Sequence, residues 1–174
     1  MTDIDPRSLE SLWQDLDVER SARHEASHAA YAWLYSEQRR NAPPVHWIYI
    51  DPRQRDFTGV VDGGADIDLD KLDNDLAKQI AVHLAGVFGE DPQVSLEELV
   101  KLWSEGEAES RGADDLGSVQ DITSNWEDLL IPVYEMLRAD YPKVKKAIEE
   151  ISKRLVEKER LQEPELIDIL VKLI

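Results

Sequence analysis

Leu69, Leu72, Leu76, Ile80, Leu84 and Val87 recur at three- and four-residue steps, and only a helix gathers residues so spaced onto one face. That period predicts a helix over 69–89 and returns through most of the chain. Asp5-Pro6 places a capping residue before a proline and predicts a short helix to about Gln14. A longer one is expected over 18–37, with Ala22, Ala26, Ala29, Ala30, Trp33 and Leu34 on its apolar side, until Asn41-Ala42-Pro43-Pro44 stops it. Ser95-Leu96-Glu97-Glu98 is a capping box that opens a short helix to Trp103. Leu116, Val119, Ile122, Trp126, Leu130 and Val133 continue one from near Asp114, which Pro132 is expected to kink or restart. Val144, Ile148, Ile151 and Leu155 define another helix, and Leu166, Ile169, Leu170 and Leu173 a last one after Pro164.

Two stretches break this period. Residues 45–51 (VHWIYID) and 56–64 (DFTGVVDGG) are rich in β-branched and aromatic side chains and predict two strands, close enough for a small antiparallel hairpin or edge sheet. The expected fold class is therefore mostly α (α+β), with 1–174 as a single domain. Trp13, Trp103 and Trp126 are read as core. The carboxylates of DIDLDKLDND, 66–75, alternate as in a calcium loop, but Lys71 and Ala77 stand where an EF-hand needs glycine and glutamate. The run is read as a solvated helix start.

Charge narrows the partners. Asp and Glu number 37 against 20 Lys and Arg, a net charge of -17, which opposes phosphate backbones and anionic membranes alike. Neither nucleic acid nor a membrane is expected as a partner. There is no cysteine, which excludes disulfides, thiolate metal sites and a cysteine nucleophile. The first residues, MTDIDPRSLESLW, lack the pattern of a signal peptide, and no apolar run approaches the ~18 residues of a membrane span. A cytoplasmic protein is expected.

The chemistry concentrates in Arg23 to Tyr31, RHEASHAAY. On a helix His24 and His28 lie one turn apart on one face and can aim two imidazoles at one ion. Glu25 is rotated about 100° from His24, beside an ion there, where it can take a proton from water. Two nitrogen ligands and a general base are the physical content of H-E-x-x-H. A catalytic zinc needs a third protein ligand and an open position for water. His46 lies in a predicted strand and reads as a hydrogen-bonded surface group. His83 sits among Ala81, Val82, Leu84 and Ala85 and reads as a core or boundary histidine. A carboxylate at a turn or helix start remains, and GADDLGSVQDI over 112–122 offers Asp114 and Asp115.

These residues resemble the peptidase domain of the FtsH-type zinc metalloproteases. That family reads A-x-H-E-A-G-H-A on a helix, P-V-H-K-V-x-I-I-P strands, a helix ending L-G-G-R-A-A-E-E, then G-A-x-N-D-L and a tail ending E-x-L-x-x-x-E-I-x-x-I-L. The chain offers in the same order ARHEASHA from Ala22, PVHWIYIDP from Pro44, LAGVFGE from Leu84, GADDL from Gly112 and ERLQEPELIDIL from Glu159. The resemblance implies a helical zinc-peptidase domain with a C-terminal helical bundle, an N-terminal extension at 1–17, an insertion at 92–110 and a C-terminal helical part at 114–174. It implies Zn2+ held by His24, His28 and Asp115, with Glu25 as catalytic base. Asp115 is chosen because it precedes Leu116, while the glycine-alanine spacing, one residue shorter here, keeps Asp114 in competition. The strand over 56–61 would be the edge that receives an extended peptide.

The sequence departs from the family at Ser27, where glycine is usual, and at Val87, where arginine follows a double glycine of which only Gly86 remains. No G-x-x-x-x-G-K-[ST] loop occurs, so the chain is not expected to unfold substrates with ATP. The expected activity is zinc-dependent hydrolysis of peptides or unfolded proteins, delivered by a separate unfoldase or adaptor; the family's rings of six make a homo-oligomer compatible with it. The alternative is a catalytically silent metal-binding module for assembly or regulation.

Overall fold

The structure, a computed structural model, describes the backbone of residues 6–55, 61–104 and 113–174, and the side chains of residues 16–55, 61–101, 115 and 118–174. Its first helix, α1 (Pro6–Tyr35), runs for 30 residues without a break. Two helices were expected here, but no glycine or proline lies between Gln14 and Val18, and nothing there disfavours the helical backbone. From Ser21 to Trp33 all but one of its residues are buried, Arg23 alone being half-buried. Such a helix is enclosed on every side. Arg39 ends it by donating to the carbonyls of Leu34 and Ser36 at 3.3 and 3.2 Å.

Around α1 the chain wraps a small sheet and the remaining helices. β1 (Val45–Arg55) and β2 (Val61–Ile67) pair antiparallel, with Tyr49 opposite Gly64 and Asp51 opposite Asp62. Most of the predicted second strand, 56–60, lies outside the described residues. A third strand, β3 (Arg160–Gln162), pairs with the other edge of β1 and gives the order β2-β1-β3. It had no sequence signal, and the C-terminal part is therefore not purely helical. Glu159, at φ 61°, ends the preceding helix and turns the chain into it.

The helix expected over 69–89 is divided. A single 3-10 turn at Leu69–Lys71 precedes α2 (Leu76–Glu90). Asp73 and Asn74 adopt left-handed φ of 58° and 53°, conformations that Asp and Asn tolerate better than most residues, and the Asp75 carboxylate caps α2 through the Lys78 amide at 3.2 Å. The acidic run ends β2, caps the 3-10 turn through Asp68 and, as expected of a helix start, opens α2 at Asp75.

Helix α3 (Leu96–Ser104) begins where the capping box predicts, with Ser95 Oγ accepting from the Glu98 amide at 3.2 Å. Leu99 and Val94 are buried, and the Tyr134 hydroxyl donates to the Val94 carbonyl at 2.7 Å. The described part of the 92–110 segment is thus pinned to the core through Val94, Leu99 and Tyr134.

After α4 (Ala113–Ile122) comes α5 (Trp126–Lys158), a 33-residue helix with Pro132 and Pro142 inside it. The chain breaks at Thr123-Ser124-Asn125, not at Pro132, and 144–155 is no separate helix. An interior proline costs about 3 kcal/mol. Burial of Val133, Leu137, Val144, Ile148, Ile151 and Leu155 along one stripe offsets that cost, because each large aliphatic side chain contributes roughly 1.5–3 kcal/mol. The Tyr31 hydroxyl ties α1 to this helix through the Leu137 carbonyl at 2.7 Å. Helix α6 (Glu163–Leu173) closes the chain. Trp126 is partly buried against the core, whereas the side chains of Trp13 and Trp103 lie outside the described residues. The fold is mostly helical with one small antiparallel sheet, and no helix among the described residues is long and apolar enough to cross a membrane.

Candidate metal centre

Three helices meet where α1 turns His24 and His28 toward α2 and α4, with Glu25 beside them turned toward β2. His24 and His28 stand edge to face, with ring centroids 4.7 Å apart. Each ring is fixed at Nδ1. His24 Nδ1 lies 2.7 Å from Glu90 Oε1, and His28 Nδ1 lies 2.7 Å from the Val82 carbonyl oxygen. A neutral imidazole that donates from Nδ1 keeps its lone pair on Nε2. Both lone pairs then face Asp115, in the first turn of α4: Nε2 of His24 is 3.2 Å from Oδ2, and Nε2 of His28 is 3.5 Å from Oδ1.

One ligand atom from each of these three residues lies within 4.8 Å of the others. A tetrahedral ion with bonds of about 2.0–2.1 Å holds its ligand atoms about 3.3 Å apart, so the spacing suits one. Among the described residues Asp115 Oδ2 is buried without a hydrogen-bond partner, the state of an oxygen that a cation would satisfy. Gly86 on α2 supplies the room. A Cβ there would stand 2.4 Å from His24 Nε2 and 2.6 Å from His28 Nε2. Donor chemistry, spacing and this clearance all fit a divalent cation such as zinc.

No family model matches the chain, and no curated protein matches it significantly.

Electrostatics in the cluster favour positive charge at one imidazole and oppose it at the other. Burial pushes His24 down, but the Asp115 and Glu90 carboxylates outweigh it and hold the ring well above its ordinary range. Burial lowers His28 to about 4 against the opposing pull of Asp115. Asp115 is raised by burial and lowered more by the two rings, so its carboxyl sits below the usual range. Glu25 carries the largest consequence: burial, reinforced by Asp115, Glu90 and Asp62, overcomes His24 and raises it to about 7.

Of the residues named from the sequence, His24, Glu25, His28 and Asp115 are brought together. The Asp114 side chain lies outside the described residues. His46 is elsewhere, paired with Glu163 at 2.8 Å as a strand-surface group. His83 is half-buried at the cleft wall, with Nε2 lacking a partner among the described residues and burial lowering its pKa. Ser27 fits because Gly89 faces it: a Cβ at Gly89 would fall 1.7 Å from Ser27 Oγ.

Sequence reasoning gave no role to Glu90 or Arg20. Glu90 is nearly inaccessible and holds His24 with one oxygen, while Arg20 Nε donates to the other at 2.7 Å. Its only sequence signal was its place at the end of LAGVFGE. A carboxylate behind a metal-binding histidine fixes the ring and raises its basicity. Glu90→Gln is expected to weaken metal affinity about tenfold to a hundredfold, as in comparable sites. Titration against a chelating dye checks this, and parental affinity would remove Glu90 from the site.

Proposed function

We propose that the chain is a zinc-dependent metallopeptidase of FtsH-like type, with His24, His28 and Asp115 as ligands and Glu25 as general base. The observation that carries the reading is the convergence of Asp115, from a distant helix, on the Nε2 atoms of both imidazoles beside a buried carboxylate raised to about 7. When bound, the cation supplies Lewis acidity, polarising a carbonyl and bringing a water's pKa to about 7.

The remaining work falls to the chain's own groups. A carboxylate with a pKa of about 7 is matched to accept a proton and return it near neutral pH. Glu25 is directed at strand β2: its Oε1 lies 3.0 Å from where a Gly63 Cβ would stand, so only glycine keeps that approach open. Among the described residues the outer edge of β2 is unpaired, and β2 lines the cleft of about 320 Å³ that holds the cluster. An extended peptide can hydrogen-bond along that edge and bring its carbonyls past Glu25. Such a seat suits peptides and unfolded segments, and folded substrates would need delivery by another factor. The lack of cysteine suits a reducing, cytoplasmic setting.

Metal content of the purified chain tests the reading. The parent is expected to hold about one zinc per chain, as three-ligand catalytic sites do, and His28→Ala and Asp115→Ala to lose it. Cleavage of an unfolded protein substrate by the zinc-loaded parent is the second arm. A chain that binds zinc and cleaves nothing is instead a silent metal-binding module, and one that binds no metal is neither.

A further inference from the structure

We infer that Asp62 selects the substrate, so that the cleft prefers extended peptides carrying a basic side chain opposite it. This rests on the peptidase reading above and adds the class of peptide.

Residues along a strand alternate between faces. The Cβ position of Gly63 faces Glu25, so Asp62 and Gly64, on either side of it, face the other way. Tyr49 of β1 marks that face. Its ring lies 2.9 Å from where a Gly64 Cβ would stand, and its hydroxyl donates to Asp62 Oδ2 at 3.2 Å. Asp62 is half-buried, and among the described residues no basic group pairs with it. Arg160 shares this side of the sheet but stacks 4.8 Å over Trp47 from β3, with β1 between it and β2.

A strand added to the free edge of β2 would set one of its residues directly across from Asp62, on the same face, with Cβ atoms about 4.5–5.5 Å apart. An opposite charge there is favoured and a like charge opposed. The neighbouring Tyr49 ring offers apolar surface to the stem of a lysine or arginine. The wider field agrees. Glu25, Asp62, Glu90 and Asp115 line the cleft, no described lysine or arginine does, and the net charge of -17 draws cationic peptides from a distance.

The test uses quenched fluorescent peptides on one neutral scaffold, with lysine or glutamate placed at each position in turn. Zinc-loaded parent is expected to favour lysine over glutamate at one position by about fivefold in kcat/KM, the combined effect of one attractive and one repulsive cross-strand pair. Asp62→Asn should bring that ratio near one, and Asp62→Lys should invert it. Each variant is read as a ratio of two peptides, so altered overall activity does not obscure the result. Binding of the same peptides to Glu25→Gln, followed by fluorescence anisotropy, reads the preference without turnover. Cleavage with no charge preference, or one that ignores both Asp62 variants, overturns the inference and leaves the peptidase standing. A preference in binding without cleavage by the parent supports the seat and removes the hydrolase. Neither binding nor cleavage of any peptide overturns both.

Discussion

Gly86→Ala is expected to empty the metal centre while leaving the domain folded. The added methyl would stand 2.4 Å from His24 Nε2, 2.5 Å from His24 Cε1 and 2.6 Å from His28 Nε2, all well inside contact distance. Neither ring can simply swing aside, because Glu90 and the Val82 carbonyl hold the two Nδ1 atoms at 2.7 Å. Relief therefore displaces both nitrogen donors together, a larger loss than a supporting contact, whose removal costs tenfold to a hundredfold. Zinc affinity should fall by more than about a hundredfold. Stability should change little: alanine is the better helix former by about 1 kcal/mol, against an overpacking cost of about 1–3 kcal/mol. Chelator competition and a thermal melt by circular dichroism measure the two. Zinc bound at parental affinity in this variant would mean that the imidazoles do not point where Gly86 makes room for them.

Glu25→Gln is expected to separate activity from stability. Loss of a general base costs about 10²–10⁴ in rate, so turnover should fall by that range with zinc retained. The metal-free variant should also be more stable than its parent above neutral pH. Glu25 titrates near 4.5 when exposed in the unfolded chain and at about 7 in the fold, where burial disfavours its charge. Its contribution to stability is full below pH 4.5, declines as pH rises toward 7, and is gone above. A shift of that size corresponds to about 3 kcal/mol, which the neutral amide does not lose. Denaturant unfolding with chelator at pH 8 and pH 4 should show the variant ahead at the higher pH and level with the parent at the lower. Equal stability at both would mean that the carboxylate is solvated and ill placed as a base.

The sequence disclosed the fold class and which side chains cluster better than it disclosed where the helices begin and end. His24, Glu25 and His28 were legible because helical spacing is local: one turn fixes which side chains share a face. Asp115 was separated from Asp114 only by resemblance, since no local signal reports which carboxylate of a distant helix reaches a given ion. Glu90 was invisible for the same reason. The helix boundaries failed where a local signal met a non-local one. Pro132 argues for a break, but the stripe from Leu130 to Leu155 is buried against α1, and burial prevails. Asp73-Asn74 carried a readable turn signal, yet the leucine period across it was stronger on paper than in the fold. The three residues of β3 bear no pattern of their own and are a strand only because β1 offers an edge.

The helix that presents the imidazoles is also the one around which the molecule is packed, with Ala22, Ala26, Ala29 and Ala30 wholly enclosed one residue or two away from the ligands. An ion bound there would belong with the architecture to a single cooperative unit, so that occupancy at His24 and His28 would reach the whole body as added resistance to unfolding. On the proposed reading a chelator would act as a mild denaturant, and the supply of the metal would govern how long the chain survives.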